Sequence, residues 1–221
     1  MIRVFIGYDP NETVAYHVLA QSIMEHSSVP VSITPLKRSM LPEYTRPRAS
    51  NESTEFSMTR FLVPHLCNYE GYAIFMDCDM LCMADIEELW RYRSGAAVSV
   101  AKHVYVPKTE TKFLGQEQTK YEKKNWSSVM LFNNKFCRRL TPEYVNTASG
   151  LDLHQFKWLN DDDRIGSIPL EWNYLVGEYD QFIVEPKLIH YTLGGPYFKA
   201  TEECEYAKEW FEMFTKTVYA T

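Results

Sequence analysis

Tyr72-Ala73-Ile74-Phe75-Met76-Asp77-Cys78-Asp79-Met80-Leu81 decides how this chain is read, because an apolar run stops abruptly at two acids one residue apart. Ala73 to Met76 has the length and continuity of an interior parallel strand, and open α/β sheets place their ligands at the carboxyl ends of such strands. In extended backbone, residues two apart share a side. Asp77 and Asp79 can therefore converge on one hard divalent cation while Cys78 points away. A metal-bound polyphosphate suits that arrangement. The plainer alternative is a strand ending in a polar turn, with Asp79 capping the turn Asp85-Ile86-Glu87-Glu88-Leu89. The cost of an uncompensated acid pair at a buried strand end weighs against it.

Composition sets the frame around this stretch. The chain has 221 residues, 45% of them apolar and 24% charged, which suits a single α/β domain over residues 1–221 with a full core and argues against long disorder. A net charge of −6 argues against a general nucleic-acid binder but leaves room for a local anion site. Tyr is the most frequent aromatic, which fits a site that stacks bases and sugars as well as an ordinary core. Cys67, Cys78, Cys82, Cys137 and Cys204 are odd in number and show no repeated short spacing, so they read as reduced and intracellular. A zinc site from Cys78, Cys82 and His65 is a minor alternative, since that cysteine pair lacks a partner pair. Ile2 to Tyr8 is too short for a signal peptide and reads as a first strand, and no run approaches the ~20 apolar residues of a membrane span. A cytoplasmic protein is expected.

Taken in order, Arg3 to Gly7 is a strand that turns at Asp9-Pro10-Asn11. A helix follows, with Val14, Val18 and Ile23 on its apolar side and Asn11 or Thr13 able to cap it. Val29 to Leu36 is a second strand, so the chain opens β-α-β without a glycine-rich phosphate turn. Lys37 to Thr54 is a basic loop, Ser57 to Leu66 a helix that points Arg60 toward the acids, and Ala96 to Ala101 another strand. Tyr105 to Lys124 is polar and irregular. The basic loop and the stretch Lys108 to Lys124 are expected to be mobile lids. Trp126 to Asn134 is strand-like, Asn134 to Thr147 partly helical, and Asp152 to Leu159 a helix. Asp161-Asp162-Asp163 form an acidic turn before the strand Ile165 to Ile168. Lys187 to Tyr191 is a short strand ending in His190. Thr201 to Tyr219 closes the chain as a helix with Ala207, Trp210, Phe211, Phe214 and Val218 on its packed face. That helix mixes Glu205, Glu209 and Glu212 with Lys208 and Lys216, so it lacks the basic bias of a membrane-surface helix.

Together these segments resemble a glycosyltransferase of the GT-A fold, most similar to family 8, the group of glycogenin and the lipopolysaccharide glucosyl- and galactosyltransferases. Asp9 and Asn11 resemble residues that bind the nucleotide base after the first strand. Ser57 to Pro64 is similar to the family helix whose Arg helps hold the donor. Phe75-Met76-Asp77-Cys78-Asp79 looks like the metal-binding Asp-x-Asp signature, Val129 to Asn133 like the strand beneath the donor sugar, and Leu170 to Asn173 like the later Trp-Asn turn. His190-Tyr191-Thr192-Leu193-Gly194 is similar to the segment carrying the third metal ligand. The resemblance thus implies metal ligation by Asp77, Asp79 and His190 and donor contacts from Gly7, Tyr8, Asp9, Asn11, Arg60, Asp77, Cys78, Trp126, Asn133 and Gly194. Gln155, with Asp152 and His154, would stand nearest the reacting carbon. Three departures stand out. Gly195-Pro196-Tyr197 replaces the family's Lys-Pro-Trp, Trp126-Ser127-Ser128 replaces its Asn-Ser-Gly, and His154 separates Asp152 from Gln155 where the family has an Asp-Gln pair.

The implied activity is metal-dependent, retaining transfer of a hexose from a nucleotide-diphosphate sugar, a UDP-sugar by preference. The acceptor is a glycan, lipid-linked glycan or other hydroxyl, and manganese or magnesium is the ion. Relatives that act on lipid-linked glycans keep a membrane-peripheral role in view; a nucleic-acid partner is not expected. The chemistry agrees on its own terms: breaking an anomeric C–O bond loads charge onto a diphosphate, and carboxylates plus one imidazole suit a hard divalent ion. Two alternatives differ in class. A haloacid-dehalogenase-like phosphatase also ends a strand in Asp-x-Asp, but near the start of the domain. A non-catalytic sugar-nucleotide-binding protein would fit the missing Lys.

Overall fold

The computed structural model describes residues 1–49, 52–104, 111–112, 116–117, 122–178 and 185–219. Strand β1 (Ile2–Gly7) begins with Arg3 reaching back to the carbonyls of Glu70 and Tyr72. It ends where Asp9 caps a 3₁₀ turn over Pro10–Glu12, accepting from the Asn11 amide at 2.9 Å. Helix α1 (Thr13–His26) then buries Ala15, Val18, Leu19, Ser22 and Ile23. Strand β2 (Val31–Leu36) carries Pro35, which a sheet edge tolerates and a sheet interior does not.

The segment expected as one helix over 57–66 is instead a 3₁₀ turn, Thr59–Leu62, running into the short α2 (Val63–Leu66), with Pro64 near the join. Strand β3 (Tyr72–Met76) follows, then β4 (Met80–Cys82), α3 (Ile86–Trp90), β5 (Val98–Ala101) and the small pair β6 (Thr111–Lys112) and β7 (Gln116–Glu117). Asp85 rather than Asp79 caps α3, accepting from the Glu87 amide. Trp126–Ser128 is a 3₁₀ turn, so strand β8 is only Val129–Asn133. The remainder is α4 (Pro142–Thr147), α5 (Gly150–His154), β9 (Ile165–Ile168), β10 (Tyr174–Leu175), β11 (Leu188–His190) and α6 (Ala207–Val218). The helix expected over 152–159 stops at His154, and Phe156 has a left-handed φ of 60°.

The large sheet runs β2-β1-β3-β8-β5-β9, and only the two pairings made by β8 are antiparallel. The carboxyl ends of β1, β3, β5 and β9 therefore share one rim with the amino end of β8. A second sheet, β10-β11-β4, is antiparallel between β11 and β4, and its register sets His190 opposite Met80. Asp77 to Asp79 is the link between the two sheets. One apolar cluster lines the large sheet; another packs the small sheet onto α1 and α6 through Val18, Leu81, Ile189, Tyr191 and Trp210.

Two expectations change. The packed face of α6 is Trp210 and Met213, with Trp210 stacked on Phe214 at 5.6 Å, while Phe211 and Val218 are exposed. The inward stripe passes through positions 210 and 213, and residues 211 and 218 fall on the neighbouring stripe. The basic loop is tied down at its middle: Asn146 Oδ1 accepts from the amides of Thr45 and Arg46, and Arg46 donates to the carbonyls of Val145 and Ala148. Most of the other expected lid, Lys108 to Lys124, lies outside the described residues.

Candidate active site

Asp77 stays on the β3–β8 ladder, its amide donating to the Ser128 carbonyl at 3.0 Å. Its side chain meets Arg60, Nη1 to Oδ1 at 2.8 Å. Arg60 is itself buried against the rings of Phe56 and Phe75 and donates to the Ser127 carbonyl at 2.9 Å. A buried guanidinium so placed offsets part of the cost of a buried carboxylate. Burial nonetheless pushes the Asp77 pKa up to about 6, against the pull of Arg60.

His190 Nε2 stands 3.4 Å from Asp79 Oδ1 and 4.0 Å from Asp77 Oδ2. Its other nitrogen, Nδ1, lies 2.9 Å from Asn173 Oδ1. An amide oxygen only accepts, so Nδ1 carries the proton and Nε2 turns toward the acids. Asn173 is buried and is held in turn by donating Nδ2 to the Asn125 carbonyl. Burial pulls the His190 pKa down, but Asp79 and Asp77 outweigh it, and the imidazole sits above its ordinary value.

Ligand atoms of Asp77, Asp79 and His190 lie within 4.8 Å of one another, the one such group among the described residues. Two carboxylates and an oriented imidazole could hold a hard divalent cation. The zinc alternative does not assemble: the Cys82 thiol donates to the Ala84 carbonyl, Cys78 is buried in the core, and His65 pairs with Glu43 at 2.7 Å. Both thiols are pushed up by burial, Cys82 to about 12, which disfavours the thiolate that zinc needs.

Gly7, Tyr8, Asp9 and Asn11 close β1 on the same rim. A Cβ on Gly7 would lie 2.4 Å from the Phe56 ring, so only glycine fits there. Tyr8 packs edge-on against Tyr16, with the Lys37 ammonium 5.4 Å from its ring centre. The Asp9 carboxylate accepts from the Asn11 amide, Asn11 Nδ2 and the Glu55 amide, so it braces the turn, and Asn11 is the exposed member of the pair. Gly194 turns the chain after His190 with φ 113°. Trp126 lies against the end of β5, donating Nε1 to the His103 carbonyl at 3.0 Å. Cys78 has no exposed side chain.

Asn133 is a correction. It pairs with Tyr72 at the start of β3, whereas Val129 pairs with Met76, so it lies on the opposite rim from Asp77. Because β8 runs antiparallel, its amino end, Ser127 and Ser128, is the part that reaches the acids. Asn133 Nδ2 instead binds Tyr72 Oη and the Ser94 carbonyl. The α5 segment does come to the site side, since His154 Nδ1 lies 2.8 Å from Ser127 Oγ and its ring packs edge-on against Phe61. Gln155 caps α5 and offers its carbonyl to Lys123, and Asp152 stands 3.6 Å from Lys157 Nζ.

Glu12 is a site residue that sequence reasoning missed. It is 2% exposed, accepts from the Tyr197 hydroxyl at 2.5 Å, and is raised to about 8 by burial and by Asp79, Asp9 and Asp77. In the sequence it is only an acid in a helix's first turn. Tyr197 also explains Gly195, where a Cβ would fall 2.2 Å from the tyrosine ring. His103, at the end of β5, is lowered to about 3 by burial and by His190, so it is neutral beside the centre.

No family model matches the chain. It is 48% identical over 219 residues, 94% of its own length and 84% of the other's, to Protein CDI of Arabidopsis thaliana. Among solved structures it superposes on the apo bifunctional glycosyltransferase WbbM with TM-score 0.68 at 18% identity, covering 98% of this chain and 50% of that one. This chain therefore spans half the length of WbbM. It superposes on the galactosyltransferase LgtC, solved with donor and acceptor sugar analogs, with TM-score 0.62 at 10% identity, covering 100% and 98%. The architecture is the GT-A glycosyltransferase fold.

Proposed function

Because this chain belongs to the family of Arabidopsis thaliana Protein CDI and is built on the GT-A fold, we propose that it is a metal-dependent glycosyltransferase. It would move a hexose, with retention at the anomeric carbon, from a nucleotide-diphosphate sugar, a UDP-sugar by preference, to a glycan or other hydroxyl acceptor. The observation that carries this reading is the convergence of Asp77, Asp79 and His190 on the rim where β1 also ends. The names of WbbM and LgtC support the reaction class.

Asp77, Asp79 and His190 would hold manganese or magnesium. When bound, the ion supplies positive charge to the diphosphate as it leaves. Arg60 fixes Asp77, and Asn173 fixes His190, so two of these side chains are oriented before donor arrives. Tyr8 and Asn11 serve the nucleobase end. Gln155 is the group assigned to the reacting carbon, where an amide oxygen can stabilise developing positive charge without becoming a strong nucleophile. Asp152 binds donor hydroxyls, and His154 anchors α5 to Ser127.

A sugar-nucleotide binder without transfer is the second reading, favoured by the Tyr197 ring that fills the space over Gly195, the position that the family 8 resemblance matches to a Lys. Proton NMR of the first product from an α-linked UDP-hexose tests both. An α-linked product is expected. A β-linked product contradicts retention, and nucleotide binding with no product supports the binder.

A further inference from the structure

The acidic turn Asp161-Asp162-Asp163 has a partner that the sequence does not announce. Asp162 Oδ1 lies 2.6 Å from Lys123 Nζ, and the same ammonium donates to the Gln155 carbonyl at 3.1 Å. The Asp162 side chain is 70% exposed and that of Lys123 only 15%, so water screens the ion pair and the contact to Gln155 is the sheltered one. Helix α5 ends at this point. The Gln155 amide still donates to Leu151 at 2.8 Å, and the Lys157 amide turns back to Asp152 at 2.9 Å. Between them Phe156 takes the left-handed conformation, φ 60°, that glycine ordinarily supplies at a helix end, its ring buried beside Trp158. The chain turns away after Gln155, and Lys123 donates to the carbonyl left at the turn.

Lys123 is itself left-handed at φ 62°, and Asn125 at φ 63°. Asparagine enters that region readily; lysine and phenylalanine do not. Strained backbone therefore stands on both sides of one hydrogen bond, and such strain persists only where the surroundings fix it. The Asn125 carbonyl accepts from Asn173 Nδ2, and Asn173 orients His190. The turn 123–125 accordingly grips the end of α5 with its first residue and the support of the imidazole with its third.

We propose that Lys123 is a positioning residue for transfer: its ammonium, steadied by Asp162, holds Gln155 at the reacting carbon in fixed relation to the metal centre. This role rests on the transferase reading above, in which Gln155 is the group at that carbon. Capping of a short helix is the plainer role for the same lysine, and it predicts lost stability with no selective loss of turnover. Positioning predicts the reverse, because a displacement of about 1 Å at a reacting group can cost ~100-fold in rate while the ground-state complex forms as before.

Cleavage of UDP-glucose and UDP-galactose with manganese, water serving as acceptor, tests this role. Lys123→Met should lower kcat by about 10- to 100-fold and change the donor KM by less than about twofold, and Lys123→Arg should recover most of the loss. Lys123→Gly deletes the ammonium but suits the left-handed backbone, so it should melt no lower than wild type and turn over as slowly as Lys123→Met. If Lys123 acts through Gln155, the double variant Lys123→Met/Gln155→Ala falls no further than Gln155→Ala alone. An unchanged kcat in Lys123→Met, wild-type turnover in Lys123→Gly, or fully additive losses in the double variant overturns the assignment. Amide hydrogen exchange over residues 150–158 requires no activity: faster exchange in Lys123→Met is expected, and unchanged exchange overturns the assignment as well. A wild type that neither cleaves a UDP-sugar nor binds UDP with manganese sinks the transferase reading instead, while the exchange measurement still decides whether Lys123 holds Gln155.

Discussion

Glu12 is a carboxylate that folding must keep neutral. Its folded pKa of about 8 stands well above the ordinary glutamate value, so between the two the folded state holds a proton that the unfolded state has released. Its stabilising effect is complete below the unfolded value and is lost as pH rises through the folded one. Asp77 acts with the same sign only up to about 6. Metal-free protein should therefore lose stability between pH 6 and 8, by an amount on the order of 2 kcal/mol, and Glu12→Gln should flatten that segment of a pH-resolved melting series. A wild-type melting temperature that rises over this range contradicts the assignment. Asn173 acts through His190: Asn173→Ala should weaken manganese binding by about 10- to 100-fold while leaving the fold intact, read by calorimetry. The two kinds of residue differ in legibility. Asp77, Asp79 and His190 were readable because each ends an apolar run, where an acid or imidazole has no packing reason to stand. Glu12 was hidden because its partner, Tyr197, lies across the chain.

Among the elements, strand positions were the most legible and directions the least. The apolar runs marked β1, β3 and β5, but nothing in Val129 to Asn133 tells which way β8 runs. That direction decides whether Asn133 or Ser128 meets the acids, and the antiparallel pairing chooses Ser128. Periodicity placed α6 but not its inward stripe, because Trp210, Phe211, Phe214 and Val218 are apolar all round one half of the helix. The turn after β11 is set by close packing, with Tyr197 held between Glu12 and Trp210, the latter ring at 5.3 Å. Gly195→Ala should displace that ring and cost about 1–3 kcal/mol, visible as a fall in melting temperature of several degrees. An unchanged melting temperature would mean that Tyr197 is free to move aside. Leu188 to His190 pairing with β4 means that loosening this turn also loosens the imidazole.

For the whole molecule, the sheet's polarity does the sorting: one rim gathers Asp9, Glu12, Asp77 and Asp79 with His190. On this acid-rich rim the Arg60 guanidinium is already committed to Asp77. A divalent ion and a nucleoside diphosphate should then each complete the other's site, which makes their binding reciprocal. Calorimetric titration of UDP into the protein, with manganese and with a chelator, measures that coupling directly. Tight binding only when manganese is present, and loss of the difference in Asp79→Ala, is the predicted result. Equal UDP affinity in manganese and in chelator would contradict it.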